Sequence, residues 1–108
     1  MTNKHNQFQV LKSLEYDPKC TQRKLSKELG MSLGKANYCL KSLIAKGLVK
    51  INKFKNSKNK NQYSYLLTTK GLEEIAILTI EFINIKTKEY DNLRKEIENL
   101  REEARRHK

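Results

Sequence analysis

Apolar residues recur at helical spacing in three short stretches, alternate in two more, and crowd one long final segment. Phe8, Val10, Leu11 and Leu14 form a helical stripe that ends at Tyr16-Asp17-Pro18, where proline forbids continuation. Thr21 is placed to cap a second helix, with Leu25 and Leu29 facing inward and Gly30 as its left-handed stop. Ser32 is placed to cap a third. In it Leu33, Ala36, Leu40, Leu43 and Ile44 share one face at about 100° per residue. The opposite face carries Gly34, Lys35, Tyr38, Ser42 and Ala45, with Lys41 at its edge and Asn37 nearer the apolar side. Gly47 closes this helix. Val49–Phe54 and Gln62–Leu67 then alternate as two strands, the second with Tyr63, Tyr65 and Leu67 on one side. Residues 55–61 contain nothing apolar and read as an exposed hairpin tip.

From Thr68 or Thr69 a last helix is expected to run to about residue 105, or on the order of 55 Å at 1.5 Å per residue. That is too long to fold back on so small a domain without a turn, and none is signalled. Its first half, from Leu72 to Ile85, is apolar nearly all round and needs cover on more than one side. A second copy of the chain is the expected source. From Ile83 onward the pattern narrows to a 3-4 repeat through Lys86, Tyr90, Leu93, Ile97, Leu100 and Ala104. With Tyr90 and Ile97 at a and Leu93 and Leu100 at d, the g positions are Glu89, Glu96 and Glu103. The e positions that follow are Arg94, Arg101 and Lys108. Every g–e′ pair is then opposite in sign for parallel strands, and like charges would meet in an antiparallel pair. The expected interface residues are Ile75, Leu78, Phe82, Ile83, Tyr90, Leu93, Ile97 and Leu100, in a parallel homodimer. The expected division is a domain at 1–68 and a pairing helix at 69–108.

Charge sharpens this division. Residues 1–70 carry 15 Lys/Arg against 3 Asp/Glu, a net +12, whereas residues 71–108 carry 8 against 9, a net −1. The excess is confined to the half with the three short helices, which is expected to meet a polyanion. Residues 31–50 contain no acid at all. A merely solvated helix face would mix both signs. Catalysis is not expected: His5 and His107 sit near the termini, and no Gly-rich phosphate loop or spaced nucleophile–base pair occurs. Cys20 and Cys39 lack neighbours at metal-ligand spacing, so neither a metal nor a cofactor is expected, and a reducing cytoplasm fits best. The N-terminal residues show no apolar signal core, and the eleven-residue run Ile75–Ile85 is too short to span a bilayer.

The order helix–helix–helix–hairpin–long helix gives a mainly α fold with a small β-hairpin wing: a winged helix-turn-helix followed by a long C-terminal dimerisation helix. Such a layout lets the third helix enter the DNA major groove. Ser32, Lys35, Asn37, Tyr38, Lys41 and Ser42 are the expected groove-facing residues. Gln22 and Arg23 would hold the DNA backbone, and Lys53, Lys55, Lys58 and Lys60 would act from the wing. The segments LSKELGMSLGKANYCLKSLIAKGLVK (25–50) and YLLTTKGLEEIA (65–76) resemble MarR-type regulators, the second through the Leu-Thr-x-x-Gly join after the wing. With FKNSKNK at 54–60, the whole chain is similar to a small MarR-like subgroup associated with exopolysaccharide gene clusters. The resemblance implies a dimeric transcriptional regulator with an operator upstream of polysaccharide-biosynthesis genes, and the parallel dimer predicts that this operator is a pseudo-palindrome. MarR regulators commonly dimerise through interleaved N- and C-terminal helices. Here the first helix is short and only the last is long. The competing expectation is an adaptor that uses the winged helix as scaffold and recruits a protein through the coiled coil.

Overall fold

The computed structural model describes residues 4–55 and 61–107, except for the side chains of residues 54, 55, 61 and 62. The elements are α1 (Lys4–Tyr16), α2 (Gln22–Leu29), α3 (Leu33–Ala45), β1 (Val49–Lys55), β2 (Asn61–Leu67) and α4 (Thr69–Arg106). They fall into two compact units, Met1–Leu78 and Thr79–Lys108. The first therefore takes in the opening turns of α4, ten residues past the boundary expected at 68.

Local chemistry fixes the ends of the short helices. Thr21 accepts from the Lys24 N–H and Ser32 from the Lys35 N–H, each satisfying a donor that the helix itself cannot. Two C-termini close in the same way, around glycines with positive φ, 62° at Gly30 and 75° at Gly47. Met31 N–H donates to Ser26 O, and Leu48 N–H to Leu43 O, which completes a Schellman turn at each end.

Val10, Leu11 and Leu14 of α1 are buried in the first unit with Leu25, Ala36, Cys39, Leu40, Leu43, Leu48 and Val49. Ile75 and Leu78 of α4 are buried there too, at 6% and 2% exposure. Their apolar surface is already covered within one chain, so they leave the expected dimer interface. The cover that this stretch, apolar nearly all round, needs is supplied at these two positions by the chain's own core.

β1 and β2 pair antiparallel without a bulge, from Val49↔Leu67 to Lys55↔Asn61. Both strands run one residue further than the alternation indicated, and the remainder of the expected tip, residues 56–60, lies outside the described residues. The Tyr65 N–H donates to Cys20 O at 3.0 Å, tying β2 to the segment just before α2.

The junction into α4 is held by one threonine. Thr68 N–H donates to Leu48 O (3.1 Å), its hydroxyl donates to Gly47 O (2.7 Å), and the same oxygen accepts from Gly71 N–H (3.0 Å). Lys70 Nζ donates to Lys46 O at 3.1 Å. Gly71 lies so close to the turn between α3 and β1 that a Cβ there would sit 2.2 Å from Leu48 O. The Leu-Thr-x-x-Gly join is thus the device that docks α4 on the end of α3.

Candidate nucleic-acid interface

The third helix presents the face expected of it, with adjustments. Lys35, Tyr38 and Lys41 are exposed, Tyr38 at 55%. Asn37 and Ser42 are half-buried, at the margin of that face. Ser32 is exposed, and its oxygen is already engaged as the helix cap. Leu33 was assigned to the core face, but it is 45% exposed. It occupies the first turn, where the helix surface has run past the domain's own packing.

Gln22 differs more. It is half-buried, and its amide nitrogen donates to Leu33 O at 3.1 Å, bracing the start of α2 against the start of α3. Its amide is therefore turned toward α3, and Arg23, which is exposed, is the cation left at this corner. Thr21, Gln22, Arg23, Leu33, Tyr63 and Tyr65 line a depression of about 380 Å³ between α2 and the wing. The Tyr65–Cys20 backbone bond is what brings the wing to this corner. Tyr63, on the same side of β2 as Tyr65 and Leu67, is 50% exposed, with Lys53 Nζ 5.9 Å from its ring centre. On this face the hairpin outruns the core: Val49 is 2% exposed at its base, and Ile51 is 52% exposed two residues on.

Electrostatics favour an anion on this side. Of the three acids in residues 1–70, Glu15 pairs with Lys12 at 2.8 Å and Asp17 with Lys24 at 2.5 Å. The Lys24 ammonium and the Lys19 N–H hold the Asp17 carboxyl below its ordinary pKa, so this acid stays ionised within a pair. Among the described residues, no ion pair engages Arg23, Lys35 or Lys41. The Lys53 side chain is exposed; the side chain of Lys55, and Lys58 and Lys60 altogether, lie outside the described residues.

Both cysteines are buried, at 0% and 1% exposure, and burial pushes the Cys20 thiol up to about 11. They serve as core. Among the described residues no group of three or more His, Cys, Asp or Glu could hold a metal, and no described helix is long and apolar enough to cross a membrane.

Residues 4–50 match the family described as winged helix-turn-helix DNA-binding. The fold is a winged helix-turn-helix. Similar solved structures include the PcaV transcriptional regulator of Streptomyces coelicolor in complex with its natural ligand (TM-score 0.64, 21% identity, 79% of this chain and 58% of that one). Staphylococcus aureus MepR in complex with DNA is comparable (0.62, 21%, 82% and 61%). A PadR-like transcriptional regulator of Bacillus cereus aligns over more of its own length (0.72, 18%, 81% and 89%). The chain spans about three fifths of the PcaV and MepR chains it resembles. No curated protein matches it in sequence.

Proposed function

We propose that the protein is a sequence-specific, double-stranded-DNA-binding transcriptional regulator that acts as a homodimer. The observation that carries this reading is the exposed face of α3, where Lys35, Tyr38 and Lys41 stand in a twenty-residue stretch without an acid. It is flanked by Arg23 at the start of α2 and Lys53 on the wing. The likeness in fold to MepR, solved in complex with DNA, supports the same reading. In it α3 lies in the major groove, with Lys35, Asn37 and Tyr38 discriminating bases at about 1–3 kcal/mol per good contact. Arg23 and the wing lysines hold phosphates. Two copies then read a pseudo-palindrome with half-sites roughly 34–36 Å apart. The exopolysaccharide-type sequence resemblance supports an operator beside polysaccharide-biosynthesis genes, and the cytoplasm is the matching compartment.

Fluorescence anisotropy with operator and random duplexes across a salt series tests this. Lys53→Ala is expected to weaken binding to every duplex and to flatten the log–log salt slope by about 0.9 for a lost phosphate contact. Tyr38→Ala is expected to erase the preference for the operator. Absence of duplex binding at low salt would sink the proposal in favour of a protein-recruiting adaptor. A genome-wide footprint away from polysaccharide genes would remove that target assignment alone.

A further inference from the structure

We infer that residues 83–104 of two copies pair as a parallel, in-register coiled coil, with Lys86 fixing the register. This rests on the homodimer reading above and specifies its partner surface. Within the second unit, taken by itself, no described residue is buried. Ile83, Tyr90, Leu93, Ile97 and Leu100 are each 41–68% exposed and all fall on a or d positions of one heptad frame. An apolar seam this long remains in water unless something covers it.

The charges beside the seam say what covers it. Glu89 and Glu96 occupy successive g positions and Arg94 and Arg101 the e positions that follow, all exposed. Parallel copies bring each acid against a base of the other strand. Antiparallel copies bring acid to acid and base to base. The seam's complement in charge is therefore the seam itself, read in the same direction. The ion pairs of Arg105 with Glu98 and Glu102 lie on the outer positions and do not compete for this surface.

Complementarity alone would tolerate a slip of one heptad. Lys86 does not. It stands at d, its ammonium 3.2 Å from Glu89 Oε2 of the same helix. In register, the two lysines share one layer, each reaching out to its own Glu89. A slip of seven residues would set Lys86 against Leu93 of the other copy, wedging an ammonium into an apolar layer. A polar residue at one seam position thus selects register and weakens the pair.

The test uses disulfide trapping in the full chain, because native Cys20 and Cys39 are buried and will not compete. Ala104→Cys introduces a thiol at an exposed a position in the last turns of α4. The expected result is that most Ala104→Cys chains become covalent dimers under mild oxidation. In an antiparallel pair centred on the same seam, a positions face d positions, so residue 104 lies about 27 Å from its twin at 1.5 Å per residue and opposite residue 86. Predominant linkage between Ala104→Cys and Lys86→Cys chains would therefore overturn the orientation. Predominant linkage between Ala104→Cys and Ile97→Cys chains would overturn the register. Lys86→Leu is expected to tighten self-association about tenfold and to admit the slipped product. A monomer in sedimentation would overturn the homodimer reading as well; a dimer without 104–104′ linkage would overturn only this inference.

Discussion

Replacing Gly71 with alanine should unfold the junction between wing and α4, although alanine is the better helix former. The intrinsic preference for alanine in a helix is worth up to about 1 kcal/mol. Against it stands the 2.2 Å approach of the new Cβ to Leu48 O, with Leu67 Cδ2 at 3.1 Å and Leu48 C at 3.2 Å. The obstacle is mainly backbone, so it cannot swing aside as a lysine tip would. Relief needs a displacement of about 1 Å to reach ordinary contact, on the scale at which overpacking costs roughly 1–3 kcal/mol. Leu48 O also accepts from Thr68 N–H, and Thr68 in turn holds Gly47 O, so the shift loosens hydrogen bonds worth about 1 kcal/mol each. The clash outweighs the propensity, leaving a net loss of about 2–4 kcal/mol. For a domain of this size that lowers Tm by on the order of 10–20 °C. Thermal unfolding followed by circular dichroism reads it directly. A variant melting within about 2 °C of the parent would mean that α4 does not dock on Leu48 as described.

The same exchange at Gly34 should have the opposite effect on stability, because a Cβ there meets nothing within 4 Å. Gly34→Ala is expected to gain about 0.5–1 kcal/mol in unfolding and to lose DNA affinity, since the added methyl holds the start of α3 off the duplex; unchanged affinity in anisotropy would remove Gly34 from the interface. Both native thiols should resist a thiol reagent at mildly alkaline pH until the chain unfolds, since neither is exposed and Cys20 titrates only at about 11; stoichiometric labelling of the folded protein would contradict their burial. The pair of Asp17 with Lys24 lowers the Asp17 pKa, so its stabilisation is full above the ordinary aspartate value of 3.8 and fades as pH falls through the lower folded value. Asp17→Asn should therefore flatten the acid limb of a Tm-against-pH curve, and a limb identical to the parent's would show that the pair contributes nothing.

Helix ends were legible because their chemistry is local. Thr21, Ser32, Gly30 and Gly47 act on backbone groups within a turn of themselves, and each does in space what its type and position indicate. The hairpin was legible for a similar reason, its alternation continuing through a bulge-free register. The candidate site was legible only in part. Lys35, Tyr38 and Lys41 follow from the wheel of α3, but Gln22 meets Leu33 across eleven positions of sequence, which no period encodes. The exposure of Tyr63 was not legible, because alternation tells which residues share a face and not how far the core beneath that face extends.

Helix α4 shows why the partner of an apolar stripe cannot be read from its spacing. Ile75 and Leu78 stand three apart, as do Tyr90 and Leu93, and both pairs satisfy the same wheel. One pair is nearly inaccessible in a single chain, whereas Tyr90 is 59% and Leu93 53% exposed. Hydrophobicity is non-directional, so it records only that a surface must leave water. What separates the two cases is the company each stripe keeps. Around Ile75 and Leu78 come a glycine admitting close backbone approach and a threonine binding three backbone groups, features of docking onto a fixed neighbour. Around Tyr90 and Leu93 come acids on one flank and bases on the other, features of a surface that selects a partner by charge and direction. If charge reversal at Glu89 and Glu96 left the self-association of the chain unchanged at low salt, the flanking residues would be mere solvation and that distinction would fail.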